Sequence, residues 1–125
     1  MKDKIKINWL SKPETHDYPA AASYLSLIFD EKKTTDVVEK LETAPITHFK
    51  AKDIFRASGL SLLGISNLHV ERDAKKIKKG VSLSPILLVR QPTLGRVLIA
   101  DGYHRLCAVY QFNEDALIPC QIVQN

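Results

Sequence analysis

The clearest pattern of apolar and polar positions lies in the last third of the chain. Residues 85–89 form an unbroken run from Pro85 to Val89 between turn-forming neighbours, as in a buried strand. Gln91, Pro92, Thr93, Leu94 and Gly95 make a connecting turn, and residues 96–100 read as a second strand. The two are expected to pair as a hairpin. Asp101 and Gly102 break the second strand, and residues 104–111 read as a helix with Leu106, Val109 and Tyr110 facing a core. Residues 118–123 return as a final strand.

The first half is mostly helical in pattern. Residues 4–10 alternate, with Ile5, Ile7 and Trp9 on one face of a short expected strand. A loop with Pro13 and Pro19 follows, and Asp17 is placed to cap a buried helix over residues 19–29, with Pro19 in its first turn. A second helix is expected from Thr35 or Asp36 to Glu42, where Val37, Val38 and Leu41 share a face and Pro45 stops it. Residues 46–50 suggest a short strand, and residues 51–58 a helical turn or two ending at Gly59. Residues 60–70 have no period that favours helix or strand. Residues 72–79 read as a helix with Gly80 as its stop.

This order predicts one α+β domain over residues 1–125, a mixed sheet with helices packed against it. Residues 1–45 would be a mostly helical N-terminal extension and residues 46–125 the core. A length of 125 residues fits one domain, and 45% hydrophobic with 26% charged residues indicates a packed chain. No apolar run is long enough to span a bilayer, and the basic start lacks the apolar stretch of a signal peptide. A cytoplasmic location without a membrane partner is therefore expected. The net charge of +4 suits an anionic partner without choosing between nucleic acid and a small phosphate compound. Cys107 and Cys120 match no zinc-ligand spacing, and both are expected to be structural thiols, with no metal site.

The candidate chemistry sits where the second strand meets the following helix. The free N–H groups and positive dipole end of a helix starting after Gly102 form an anion site. Gly102 allows close backbone approach, Arg105 offers a planar charged fork, and His104 a donor that titrates near neutral pH. Asp101 could hold magnesium, take a proton from a hydroxyl, or cap the helix. The plainer reading is ordinary capping with a solvated first turn, and spacing alone favours function only slightly. In the basic run of residues 72–79, Lys75 or Lys76 could reach phosphates, or the whole run could be a solvated face. Ser84 could donate to a ligand or simply end a loop. His16, His48 and His69 lie far apart and are expected to be structural or solvated.

Three blocks in order resemble the ParB/sulfiredoxin superfamily: residues 83–89 as a Pro-hydrophobic strand, residues 99–108 as a Gly-x-His-Arg turn opening a helix, and residues 118–123 as a closing Ile-Pro-x-x-Ile-Val strand. The resemblance covers residues 70–123, with weaker support over residues 46–56, and implies that family's mixed sheet. It also implies that Gly102, His104 and Arg105 hold nucleotide phosphates, with Lys75 or Lys76 in reach from the helix before the Pro-strand. Tyr103 stands where sulfiredoxins carry their reactive cysteine, and a phenol cannot replace a thiolate, so sulfinic-acid reduction is not expected. Partition proteins carry Gly-Glu-Arg-Arg at this turn, bind CTP and add a helix-turn-helix domain; the chain ends just after the last strand, so a stand-alone partition protein is not expected.

The nearest turn is the Asp-Gly-His-His-Arg of relatives that are free serine kinases. By that likeness Asp101 is a catalytic candidate, Glu14 is a positional candidate for a second carboxylate, and the ligand is ATP with Mg2+; His104, a group that titrates near neutral pH, is the other catalytic candidate on its own chemistry. The expected partner is thus a nucleotide. The alternatives are DNA, bound or cut by a ParB-like module, and a silent interaction protein; a homodimer is also possible on this reading.

Overall fold

The computed structural model describes residues 5–125. A four-stranded mixed sheet forms the centre, with strands β1 (Thr47–Lys50), β2 (Ile86–Gln91), β3 (Arg96–Asp101) and β4 (Leu117–Gln124). Their spatial order is β1-β4-β2-β3. Strands β2 and β3 form the expected antiparallel hairpin, joined by a short 3-10 turn (Pro92–Leu94), while β4 runs parallel to β2 and antiparallel to β1. Central β2 is buried on both faces, which is why its sequence is continuously apolar rather than alternating.

Helices cover both faces. On one side lie α1 (Asp17–Leu25) and α2 (Glu31–Thr43), on the other α3 (Ala51–Ser58), α4 (Leu68–Lys78) and α5 (Tyr103–Phe112). Side chains alternate along β2 to serve both layers. Leu87 and Val89 join Ala21, Leu25, Val37 and Leu41, whereas Ile86 and Leu88 join Ile54, Ile77, Leu106 and Ile118. Helices α1 and α2 therefore cover one whole face of the sheet. Hydrogen bonds fasten this layer: Tyr18 Oη donates to Gln121 Oε1 at 2.6 Å, and Gln121 Nε2 donates to the Ala44 carbonyl at 2.8 Å.

Several local expectations are corrected. No strand forms over residues 5–10; Trp9 makes a single parallel bridge to Leu83, because the alternating apolar face meets a loop rather than an open sheet edge. Lys4 lies outside the described residues. Helix α1 begins at Asp17 instead of being capped by it, ends at Leu25, and buries only the stripe Asp17, Ala21 and Leu25. Helix α2 starts earlier than expected because Asp30 caps it, accepting from the Lys33 N–H at 2.8 Å. Helix α4 also starts earlier, at Leu68, where the Asn67 side chain accepts from the N–H groups of His69 and Val70. No helix of the described residues is long and apolar enough to cross a membrane.

Candidate functional site

The β3–α5 turn forms as its residues dictate. Strand β3 carries a register irregularity opposite Leu87 and Leu88: Leu88 faces Ile99, yet Leu87 faces Asp101, so Ala100 is an extra residue. This irregularity delivers Asp101 to the strand tip. Gly102 follows with φ +111°, a backbone conformation that side-chain-bearing residues rarely adopt. A Cβ at Gly102 would meet Ile86 Cγ1 at 2.8 Å and Arg105 Nη2 at 2.9 Å. The glycine is thus demanded by the close packing of the chain on itself, whatever approaches from outside. Among the described residues no side chain accepts from the first N–H groups of α5, so this helix end is open.

Arg105 turns back to brace the turn. Its Nε donates to the Ser84 carbonyl at 2.9 Å, and Nη2 donates to the Pro85 carbonyl at 3.3 Å and to Asp101 Oδ2 at 3.0 Å. One planar fork therefore ties the loop before β2 to the end of β3. Behind it lies Asp17, only 3% exposed, whose carboxylate accepts from the Glu14 N–H at 3.0 Å and from the Ser84 hydroxyl. Burial pushes the Asp101 carboxyl above its usual range; the Arg105 guanidinium opposes this and the neighbouring Asp17 carboxyl adds to it.

In front of this brace a polar cleft of about 220 Å³ opens between α4 and the turn. His69, Arg72, Asp73 and Lys76 line it from α4, and Asp101, Gly102, His104 and Arg105 from the turn. The His69 and His104 rings lie 4.7 Å apart between centroids. Burial lowers the proton affinity of His104, helped by His69 and Arg105 and opposed by Asp73. Burial raises the Asp73 carboxyl, against the pull of Lys76, Arg105, His104 and Arg72. With Arg105 paired to Asp101, Arg72 and Lys76 are the cations left to meet an anion at the open end of α5.

The cleft gathers Asp101, Gly102, His104, Arg105 and Lys76, and leaves out three other expected residues. Lys75 points away and pairs with Glu71 at 3.3 Å. Ser84 is buried behind Arg105, with its hydroxyl committed to Asp17 and accepting from the Glu14 N–H at 3.1 Å. The exposed Glu14 carboxylate faces His16 at 3.2 Å. Conversely, His69, Arg72, Asp73 and Asp17 belong to the site or its support without having been singled out for it. The i, i+3, i+4 and i+7 spacing of His69, Arg72, Asp73 and Lys76 was the available signal once a helix is known to start at Leu68.

Tyr103 is partly buried against the core and donates its hydroxyl to the Ser61 carbonyl, and so anchors the segment before α4. Cys107 and Cys120 are buried free thiols; burial raises both, Cys120 to about 12, which leaves neither suited to act as a thiolate. Among the described residues no three His, Cys, Asp or Glu side chains converge as a metal site. No family model, curated protein or solved structure matches this chain.

Proposed function

We propose that this chain is a ParB/sulfiredoxin-like domain that binds a nucleotide by its phosphates, with ATP as the ligand and a small hydroxyl compound as phosphoryl acceptor. The observation that carries the reading is the meeting of Arg72 and Lys76 with the open N-terminus of α5 in one polar cleft. Backbone N–H groups and the helix dipole favour phosphate oxygens there, and the two cations neutralise their charge. Arg105 holds the turn in shape more than it reaches outward. Asp101, whose burial raises its proton affinity, is suited in its ionised form to take the proton of an acceptor hydroxyl as that oxygen bonds to the terminal phosphorus and the bond to the bridging oxygen breaks, releasing ADP.

Magnesium binds through one or two carboxylates and the phosphates themselves, and Asp73 and Asp101 supply two carboxylates in the cleft. When bound it would spread the negative charge of the phosphates. His104, which lines the cleft beside His69, would donate a ring N–H to a phosphate oxygen.

Calorimetric titration with ATP, ADP, CTP and GTP, each with and without Mg2+, tests this. One nucleotide binds, and Lys76→Ala weakens it about fivefold to tenfold, roughly 1–1.4 kcal/mol. Absence of binding by every nucleotide at millimolar concentration, or unchanged affinity in Lys76→Ala, would falsify the reading. A second reading, DNA binding, is favoured by the exposed Arg72, Lys75, Lys76 and Lys78 on α4 and Lys79 just after it. It requires random duplex DNA to bind with an affinity that falls steeply with salt.

A further inference from the structure

The opposite end of the β2–β3 hairpin carries a second cavity with a different lining. Helix α3 has only eight residues and stops at Gly59, so the sheet face extends past the helix that covers it. Phe49 of β1, Leu88 of β2, Val97 of β3 and Ile122 of β4 line the uncovered part, flanked by Ile54 and Ala57 of α3. The space is about 180 Å³.

Two charged residues stand at the edge of this cavity. Asp53 is already paired with Arg56, 3.1 Å away. Arg90 is exposed and forms no ion pair with the described acids. Arg90 lies on β2 opposite Val97, so its guanidinium rises from the same sheet face as the apolar floor. The mouth thus offers a fork of N–H donors beside a hydrophobic hole, and a guanidinium matches a carboxylate with two parallel hydrogen bonds.

We propose that this cavity binds a small apolar carboxylate, a branched or aromatic acid whose hydrocarbon part fills the space among Leu88, Val97 and Ile122 while its carboxylate pairs with Arg90. A volume below the ~300 Å³ of drug-sized pockets selects compact acids over long chains. A neutral molecule of the same shape gains the apolar contacts but leaves the guanidinium unused. The site lies at the far end of β2–β3 from Gly102 and does not depend on what the polar cleft binds.

The test uses 3-phenylpropionate and its neutral counterpart 3-phenylpropan-1-ol, titrated into the full chain and followed by chemical shifts or calorimetry. The acid binds with a Kd of about 1 mM or tighter, and at least about tenfold more tightly than the alcohol. Arg90→Gln, at an exposed position without an ion pair, keeps the fold and loses that tenfold preference. Ala57→Phe, which fills the cavity, loses binding of both compounds. Equal binding of acid and alcohol, an Arg90→Gln protein that keeps its preference for the acid, or no binding of the acid at millimolar concentration each overturns the proposal.

Discussion

The two ends of the β2–β3 hairpin are built in opposite ways. At the Gly102 end the chain's own polar groups grip one another: Arg105 braces two carbonyls and Asp101, Ser84 holds Asp17, and a glycine is squeezed between Ile86 and Arg105. At the other end a two-turn helix stops short of the sheet it covers, and apolar side chains meet an open space. The difference teaches where rigidity was placed. A polar site needs fixed donors, because a misplaced charge gains little and an unpaired one is costly. An apolar hole needs only shape and tolerates looser walls.

The largest effect sharpens this contrast by substitution at each end. Gly102→Ala forces a Cβ into a left-handed conformation and onto Ile86, and costs about 2–4 kcal/mol in urea unfolding. Val97→Ala, at the half-buried edge of the apolar cavity, costs about 1 kcal/mol or less. Equal costs at the two ends would break the comparison.

A smaller effect appears in the pH dependence of the melting temperature. His104 has a lowered proton affinity in the folded chain, so its contribution is fully present above its ordinary value of 6.5. That contribution is lost as pH falls through the lower folded value. Asp73 and Asp101 have the opposite sign: raised in the fold, they contribute most below 3.8 and lose that contribution as pH rises through their folded values. His104 therefore pulls the melting temperature down as pH drops from 7 towards 5 while Asp73 and Asp101 push it up, and His104→Gln removes the downward part, so the variant loses less (or gains more) than the parent chain over that range. An unchanged slope would remove His104 from the groups that set it.

Much of the fold could be read before any coordinates, and the reasons are local. The run from Pro85 to Val89, the Pro92–Gly95 turn and the Asp101–Gly102 break each carry their own signal, and the hairpin and α5 follow from them. The cleft was half legible for the same reason. Asp101, Gly102, His104 and Arg105 sit in one turn, where spacing alone brings them together. Its other wall could not be seen, because the start of α4 depends on distant contacts. Residues 60–67 have no period of their own and are held by the Tyr103 hydroxyl on Ser61, the Leu63 N–H on Cys107 Sγ, and the Gln111 amide on the Leu63 carbonyl. Only with that segment fixed does Asn67 become a cap and His69 a neighbour of His104.

Arg105 and Asp17 carry the second lesson. Both invite a role from residue type, Arg105 as a phosphate ligand and Asp17 as a helix cap. In the fold each turns inward, Arg105 onto the Ser84 and Pro85 carbonyls and Asp17 onto the Ser84 hydroxyl, partners brought up by tertiary packing rather than by neighbours in sequence. The cations free to meet an anion are instead Arg72 and Lys76, which sit on a helix face that also looks like ordinary solvated charge.

The most direct measurement of the central claim is an amide chemical-shift map of the nitrogen-labelled chain titrated with ATP and Mg2+. The account predicts that the largest shifts fall on the N–H groups of Tyr103, His104 and Arg105, with Arg72 and Lys76 next. Shifts confined to the outer residues Lys75, Lys78 and Lys79, or absent from the α5 N-terminus altogether, would contradict it.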